Sequence, residues 1–276
     1  MVAAMERIKY LARNYLPDGV IIFLNAIRRA LHGAPIFIPF HATYNEDGLI
    51  CNKNIAALGD YRFMKAYQRA VDKQLYVDPN IKWRCHLACW AGAMAIKLKG
   101  DFVECGVNKG FLSHILMDYL DFDTCGQDFY LVDTYQGFDG RYLEPKERDR
   151  LREYASASKS GKPWEMGIYE PCYDFVVNAF SVFKCAKIVK GSVPDILSAI
   201  NTDRVAYLSI DMNCVAPELA AIEYFWPKML VGGVVVLDDY AWPGHEAQKD
   251  AMDEFAVRNG TQILSLPTGQ GLLIKT

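Results

Sequence analysis

Beyond Gly100 the chain alternates between two textures. Short runs of consecutive apolar residues at 102–107, 129–133, 187–190, 206–210, 233–237, 261–265 and 271–274 predict strands. Segments with helically spaced apolar positions at 111–120, 169–183, 217–229 and 245–257 predict helices between them. Near-continuously apolar strands in alternation with helices predict a parallel α/β sheet covered on both faces. The last two strands are joined only by Leu266-Pro267-Thr268-Gly269-Gln270, which leaves no room for a crossover helix. They should therefore pair antiparallel, as a hairpin.

Before Gly100 the pattern is helix and loop. Helices are expected at 5–15, 21–31, 61–71 and 83–98, while 35–54 reads as loop because it holds prolines, a histidine and an Asn-Glu-Asp-Gly turn. This divides the chain into an N-terminal helical arm or lid, 1–82, and an α/β domain, 83–276. The apolar run Val20-Ile21-Ile22-Phe23-Leu24 ends at Asn25 and Arg28-Arg29, too soon to cross a bilayer. It reads as a helical arm packed on the body or on a sister subunit. A surface-lying amphipathic helix with Arg28 and Arg29 near lipid is the second reading. The segment 137–167 breaks the rhythm, being rich in Glu, Lys, Arg, Ser and Gly with little apolar periodicity. It is either a lid or a solvated insertion, and its place after the second strand of the domain favours the lid.

Composition narrows the class. At 276 residues with 51% hydrophobic and 23% charged positions, disordered and fibrous classes are excluded. A net charge of −3 supplies no basic field, which argues against a nucleic-acid partner. The 8 cysteines show no CxxC or zinc spacing, and Cys85 and Cys89 sit at a helical interval beside alanines. They read as small buried side chains in a reducing compartment. A cytoplasmic, homo-oligomeric protein without stable membrane insertion is the expectation.

In an open parallel sheet, ligands lie outside the carboxyl ends of the strands. The first informative end is Glu104-Cys105-Gly106-Val107-Asn108-Lys109-Gly110, a tight turn into a helix that many folds without a ligand also need. The second is Leu131-Val132-Asp133-Thr134, where Asp133 either accepts from ribose hydroxyls or caps a helix. Ile210-Asp211-Met212-Asn213 and Val236-Leu237-Asp238-Asp239-Tyr240 bring three carboxylates to adjacent strand ends. Mutual repulsion there calls for a compensating cation, and hard oxygen donors point to Mg²⁺ or a similar ion. In the other reading, Asp238 and Asp239 cap the next helix or pair with lysines.

The order ExGxxxG, Asp133, Lys190-Gly191-Ser192, Ile210-Asp211 and Leu237-Asp238-Asp239-Tyr240 resembles class I S-adenosylmethionine-dependent methyltransferases. More narrowly, it resembles the metal-dependent sugar O-methyltransferases of the macrocin, mycinamicin and novobiocin type, with catechol O-methyltransferases more distant. The resemblance runs from Trp83 to the C-terminus and is most specific at 210–223 and in Asp238-Asp239-Tyr240-Ala241-Trp242-Pro243-Gly244. It implies a Rossmann-like sheet in the order 3-2-1-4-5-7-6 with the last strand antiparallel. It also implies S-adenosylmethionine held by Glu104, Gly106, Asn108, Gly110, Asp133, Gly191, Ser192 and Asp211. Asp211, Asp238 and Asp239 would bind the divalent metal, and a small-molecule or glycan hydroxyl would accept the methyl group.

One position departs from that family. Its antibiotic-sugar members carry an aspartate, thought to act as base, two residues after the metal aspartate; this chain has Asn213. A neutral amide cannot take a proton, so His245, after the Trp242-Pro243-Gly244 turn, becomes the candidate base, with Asn213 orienting the acceptor. His41 and His86 are weaker candidates, and His114 should pack inside a helix. Two rivals stand: a metal-independent methyltransferase acting on an amine or phenol, and an inactive cofactor-binding interaction protein.

Overall fold

The computed structural model describes residues 42–76, 80–157 and 169–276. The predicted helices at 5–15 and 21–31, His41, and the end of the 137–167 segment lie outside the described residues. The chain divides into two compact units, Met1–Ala56 and Ala57–Thr276. In the first, strands β1 (Tyr44–Glu46) and β2 (Leu49–Cys51) pair antiparallel with Asn45 opposite Ile50. Asp47 and Gly48 between them take positive φ values of 52° and 70°, the backbone that a two-residue hairpin turn demands. The Asn-Glu-Asp-Gly stretch therefore forms a small hairpin rather than plain loop.

The second unit runs α1 (Tyr61–Asp72), α2 (Lys82–Ala95), β3 (Asp101–Cys105), α3 (Phe111–Leu120), β4 (Phe129–Asp133), α4 (Pro145–Ala157), α5 (Tyr173–Phe180), β5 (Ala186–Lys190), β6 (Val205–Ile210), α6 (Val215–Phe225), β7 (Met229–Leu237), α7 (Glu246–Arg258), β8 (Leu264–Ser265) and β9 (Gly271–Ile274). The strands form one sheet in the order β5-β4-β3-β6-β7-β9-β8. All neighbours are parallel except β9, which runs antiparallel to both β7 and β8. This is the expected 3-2-1-4-5-7-6 order, with the terminal hairpin in place.

Burial explains the strand signal. Every residue of β6 is buried, and Val103, Cys105, Leu208 and Val235 join one core with α6 and α7. On the opposite face the Phe102 ring lies 4.9 Å from Phe122, 5.6 Å from Phe129 and 5.0 Å from Tyr207. Helix α2 approaches closely because its inward face is small: Cys85, Ala88, Cys89, Ala91, Gly92 and Ala95 are buried. A Cβ on Gly92 would stand 2.6 Å from the Leu116 side chain. None of the described cysteines is joined in a disulfide. Helix α1, read from the sequence as part of an N-terminal arm, packs against α3 within this unit through a face that includes Phe63 and Tyr67. No helix among the described residues is long and apolar enough to cross a membrane.

Several boundaries differ from the sequence reading, the 169–183 helix shortening to Tyr173–Phe180 and the 261–265 strand to Leu264–Ser265. Strand β7 starts at Met229 rather than 233, because Gly232 and Gly233 extend it without the side chains that periodicity detects. The 137–167 segment contains α4, whose polar residues carry helix propensity but leave almost no apolar stripe to read. Only tertiary contacts reveal what holds it: Leu151 is buried, and the Glu147 carboxylate accepts from Val215 N at 2.7 Å.

Phe102→Ala removes a ring that is fully buried between three aromatics and should destabilise the fold by about 3–5 kcal/mol. Urea unfolding followed by tryptophan fluorescence checks this; a loss below ~1 kcal/mol would contradict the packing described.

Candidate active site

The registers bring five strand ends level: Cys105 lies opposite Val132 and Ile210, Ile210 opposite Leu237, and Asp133 opposite Lys190. Beyond them opens a cavity of about 320 Å³. Glu104, Gly106, Asn108, Asp133, Gly191, Ser192, Asp211, Asn213, Asp238 and Asp239 all line it, so the residues singled out from separate strand ends do come together. Gly110 and His245 do not line it.

The turn after β3 is shaped by contacts that exclude a side chain. Gly106 has φ +91°, and a Cβ there would sit 1.8 Å from the Asp211 carbonyl oxygen. Asp211 N in turn donates to Cys105 O at 2.8 Å, which locks the ends of β3 and β6 together. Gly110, at φ +82°, starts α3 against the Phe180 ring, 2.4 Å from a notional Cβ. Its role is therefore to seat the helix, at one remove from the cavity.

Asp133 organises the same turn. Its Oδ2 accepts from Val107 N at 2.7 Å and Asn108 N at 2.8 Å, and its Oδ1 from Tyr135 N at 2.6 Å. These amides belong to the turn before α3 and to its own loop, so Asp133 clamps two turns and caps no helix. Beyond β5, Gly191 N donates to Asp133 O at 2.9 Å, and Ser192 Oγ donates to Asp139 Oδ2 at 2.7 Å. Arg141 and Ser192 hold the Asp139 carboxyl well below the usual carboxylate range. Asp139 was not foreseen, since it belongs to the segment without periodicity.

At the other end of the cavity Asn213 is fixed from several sides. Its backbone is left-handed, with φ +59°. Its N–H donates to Glu218 Oε1 at 2.8 Å, and its carbonyl accepts from Arg150 Nη2 at 2.6 Å. The side-chain amide donates to Asp211 Oδ1 at 3.0 Å and reaches the Tyr169 hydroxyl at 3.4 Å. Tyr169, also unforeseen, stays protonated: burial and the neighbouring Asp211 push its phenol up. Arg150, on α4, also donates to Gly244 O, so this helix straps the turns after β6 and β7.

His245 caps α7 and is buried, its Nδ1 without a hydrogen-bond partner. Burial, with Arg150 nearby, pushes its imidazole down to about 4. A ring that weakly basic, outside the cavity lining, does not suit the role of base. His114 packs between Phe180 and Phe183, as expected of a helix-borne histidine.

The three aspartates after β6 and β7 have a protein cation among them. Arg84, in the first turn of α2, places Nη1 2.5 Å from Asp238 Oδ2 and 3.7 Å from Asp239 Oδ1. Gln270 Nε2 donates to the other Asp238 oxygen at 2.9 Å. Burial, then repulsion from Asp238 and Asp239, pushes the Asp211 carboxyl well up, against the pull of Arg84. Among the described residues no three carboxylate, imidazole or thiolate groups converge to hold a metal ion. With one of its aspartates bonded on both oxygens by side chains, this corner does not fit the expected Mg²⁺. The sequence reading allowed a lysine partner and missed the arginine, which lies 154 positions from Asp238.

The sequence profile of the family described as Macrocin-O-methyltransferase (TylF) matches residues 86–264. A search of curated proteins found no match. Among solved structures, the O-methyltransferase NovP is 21% identical over 70% of this chain and 79% of its own, with a TM-score of 0.58. The calicheamicin methyltransferase CalS11 is 12% identical over 81% of this chain and 94% of its own, with a TM-score of 0.54. At these identities the two structures establish a shared fold.

Burial pushes the Glu104 carboxyl up to about 8, with the Ser113 hydroxyl hydrogen bond opposing it. Between the ordinary carboxylate range and that value, the folded chain retains a proton that the unfolded chain has released, so stability falls as pH rises through this window. Glu104→Gln should therefore unfold at a higher temperature than the parent at pH 8, the gap closing towards pH 5. Scanning calorimetry across that range checks it; a gap that widens on acidification would contradict the assignment.

Proposed function

The chain belongs to the macrocin O-methyltransferase (TylF) family of S-adenosylmethionine-dependent methyltransferases. On that premise we propose that it methylates a hydroxyl of a sugar, glycoside or related small molecule held at the Asn213–Tyr169 end of the cavity. The observation that carries this is the lining itself. Glu104, Asp133, Asp211, Asp238 and Asp239 face one cavity at the carboxyl ends of the strands. Carboxylates crowded there favour a cationic guest. The sulfonium and ammonium groups of S-adenosylmethionine supply those charges, and the bound cofactor supplies an electrophilic methyl group.

The protein's part is to place and orient. Gly106 and Asn108, in the turn clamped by Asp133, let the main chain approach the guest without a side chain between them. Glu104, protonated when the cavity is empty, ionises against a positive charge, so binding and proton release are linked. Gly191 and Ser192, steadied by Asp139, border the far end of the cavity for the adenosine portion. The Asn213 amide and the Tyr169 phenol offer hydrogen bonds to the acceptor, and α4 covers this end and keeps water out.

The acceptor proton needs a base. Asp238 has both oxygens hydrogen-bonded by Arg84 and Gln270, and burial with repulsion from its aspartate neighbours pushes the Asp211 carboxyl well up. We assign the base to Asp239, which lines the cavity with Arg84 Nη1 3.7 Å from its Oδ1. Its carboxylate would take the proton of the acceptor hydroxyl; the methyl group that replaces that proton would come from the sulfonium, whose carbon–sulfur bond breaks to leave a neutral thioether. An amine acceptor held by Asp238 and Asp239 gains no support, because Arg84 already supplies their positive partner.

Calorimetric titration with S-adenosylhomocysteine should show binding, and Gly106→Ala should abolish it. Mass spectrometry of a sugar and glycoside panel should then find one acceptor gaining a methyl group. Asp239→Asn should lower turnover of that acceptor by about a hundredfold or more with cofactor binding retained. No binding by the parent protein would refute the reading at its root, and activity confined to amines would refute the acceptor class.

A further inference from the structure

Arg84 occupies an unusual place for a cation. It lies in the first turn of α2, at the positive end of the helix dipole, where a positive side chain is disfavoured. Its side chain is only 14% exposed, so it has also given up most of its hydration. Both costs are offset by the 2.5 Å contact to Asp238 and the field of Asp239 at 3.7 Å.

The surroundings fix the guanidinium rather than merely admit it. The Trp242 ring centroid lies 5.0 Å from the guanidinium carbon, a cation–π distance. Trp242 is itself packed on Gly269, where a Cβ would stand 2.3 Å from the indole nitrogen. The fully buried Gln270 holds the second Asp238 oxygen at 2.9 Å, and Thr268 Oγ1 donates to Gln270 Oε1 at 3.1 Å, which sets the amide orientation. Three separate elements, α2, the turn after β7 and the β8–β9 loop, thus converge to hold one arginine against one aspartate.

We propose that Arg84 is the resident cation of this corner: it stands where a divalent ion would, excludes that ion, and keeps Asp238 and Asp239 oriented as a positioning residue. Mg²⁺ binds carboxylate oxygens at ~2.0–2.1 Å in near-octahedral geometry, so to take the Asp238 oxygen that faces Arg84 it would have to displace the guanidinium. Retaining Arg84 beside a divalent ion would set like charges against each other in a half-dry site. The catalytic consequence, transfer that needs no added metal, rests on the methyltransferase reading; the exclusion of metal does not.

The probe is Mn²⁺, titrated by electron paramagnetic resonance into the full chain with S-adenosylhomocysteine present. The parent should bind none stoichiometrically, and its turnover should be the same in EDTA. Arg84→Ala and Arg84→Gln should both gain a Mn²⁺ site, tighter than any in the parent by at least about tenfold, which Asp238→Asn added to either variant removes. Arg84→Lys should keep the ion out and restore part of the turnover that the neutral variants lose. The inference is overturned by a Mn²⁺ site in the parent that Asp238→Asn abolishes, by turnover that EDTA stops and Mg²⁺ restores, or by neutral variants that still take no Mn²⁺. The parent titration decides even if neither neutral variant folds. Cofactor binding, read by calorimetry on the same samples, reports the failure of the methyltransferase reading separately.

Discussion

The site hangs on one backbone junction, where Gly106 passes the Asp211 carbonyl and Cys105 O accepts from Asp211 N at 2.8 Å. Two strands distant in sequence end level only because that close passage is possible. A side chain at Gly106 would wedge the ends of β3 and β6 apart, and every carboxylate beyond them would lose its relation to the others. Level strand ends convert isolated acidic residues into a shared lining. The same junction leaves Asp133 able to clamp the Val107 and Asn108 amides, so the turn is held from two neighbouring strands.

Gathering carboxylates in a cavity is expensive, and the chain answers in two ways. Burial pushes the Glu104 carboxyl up to about 8 and the Asp211 carboxyl well up, while Asp238 receives a guanidinium. The two answers have different chemical meanings. A proton leaves when a positive guest arrives, so the Glu104 end of the cavity is responsive. An arginine anchored by Trp242 and Gln270 stays, so the Asp238 end is fixed. On the proposed reading this separates a region that receives the cofactor from one that holds the reacting groups in place.

Helix α4 shows how a polar segment becomes part of a site. It presents too little apolar surface to dock by burial alone, and it is fastened instead by Glu147 to Val215 N and by Arg150 to the carbonyls of Asn213 and Gly244. Hydrogen bonds of this kind satisfy main-chain groups that would otherwise be left open at the turns. They also carry the Asn213 backbone into a left-handed conformation that its own side chain tolerates better than most. The helix therefore shapes the Asn213 end of the cavity without contributing much to the core.

The sequence alone determined the sheet, the terminal hairpin and the acidic strand ends, because each leaves a local trace. Buried parallel strands must be continuously apolar, a five-residue connection cannot hold a crossover helix, and aspartates that end apolar strands lie by geometry at one edge. The family resemblance then supplied the strand order and the cofactor. What the tertiary structure decided was which charges meet. Arg84 and Asp238 are far apart in the chain, and nothing local in α2 announces that its first turn will face β7. Asp139 joined the lining from a segment with no periodicity and Tyr169 from the residues just before α5, while His245, nominated by its neighbours Trp242-Pro243-Gly244, turned into the body of the protein. Hydrophobic patterning is read along the chain, but the pairing of buried charges is settled across it, where desolvation penalises any group left without its partner.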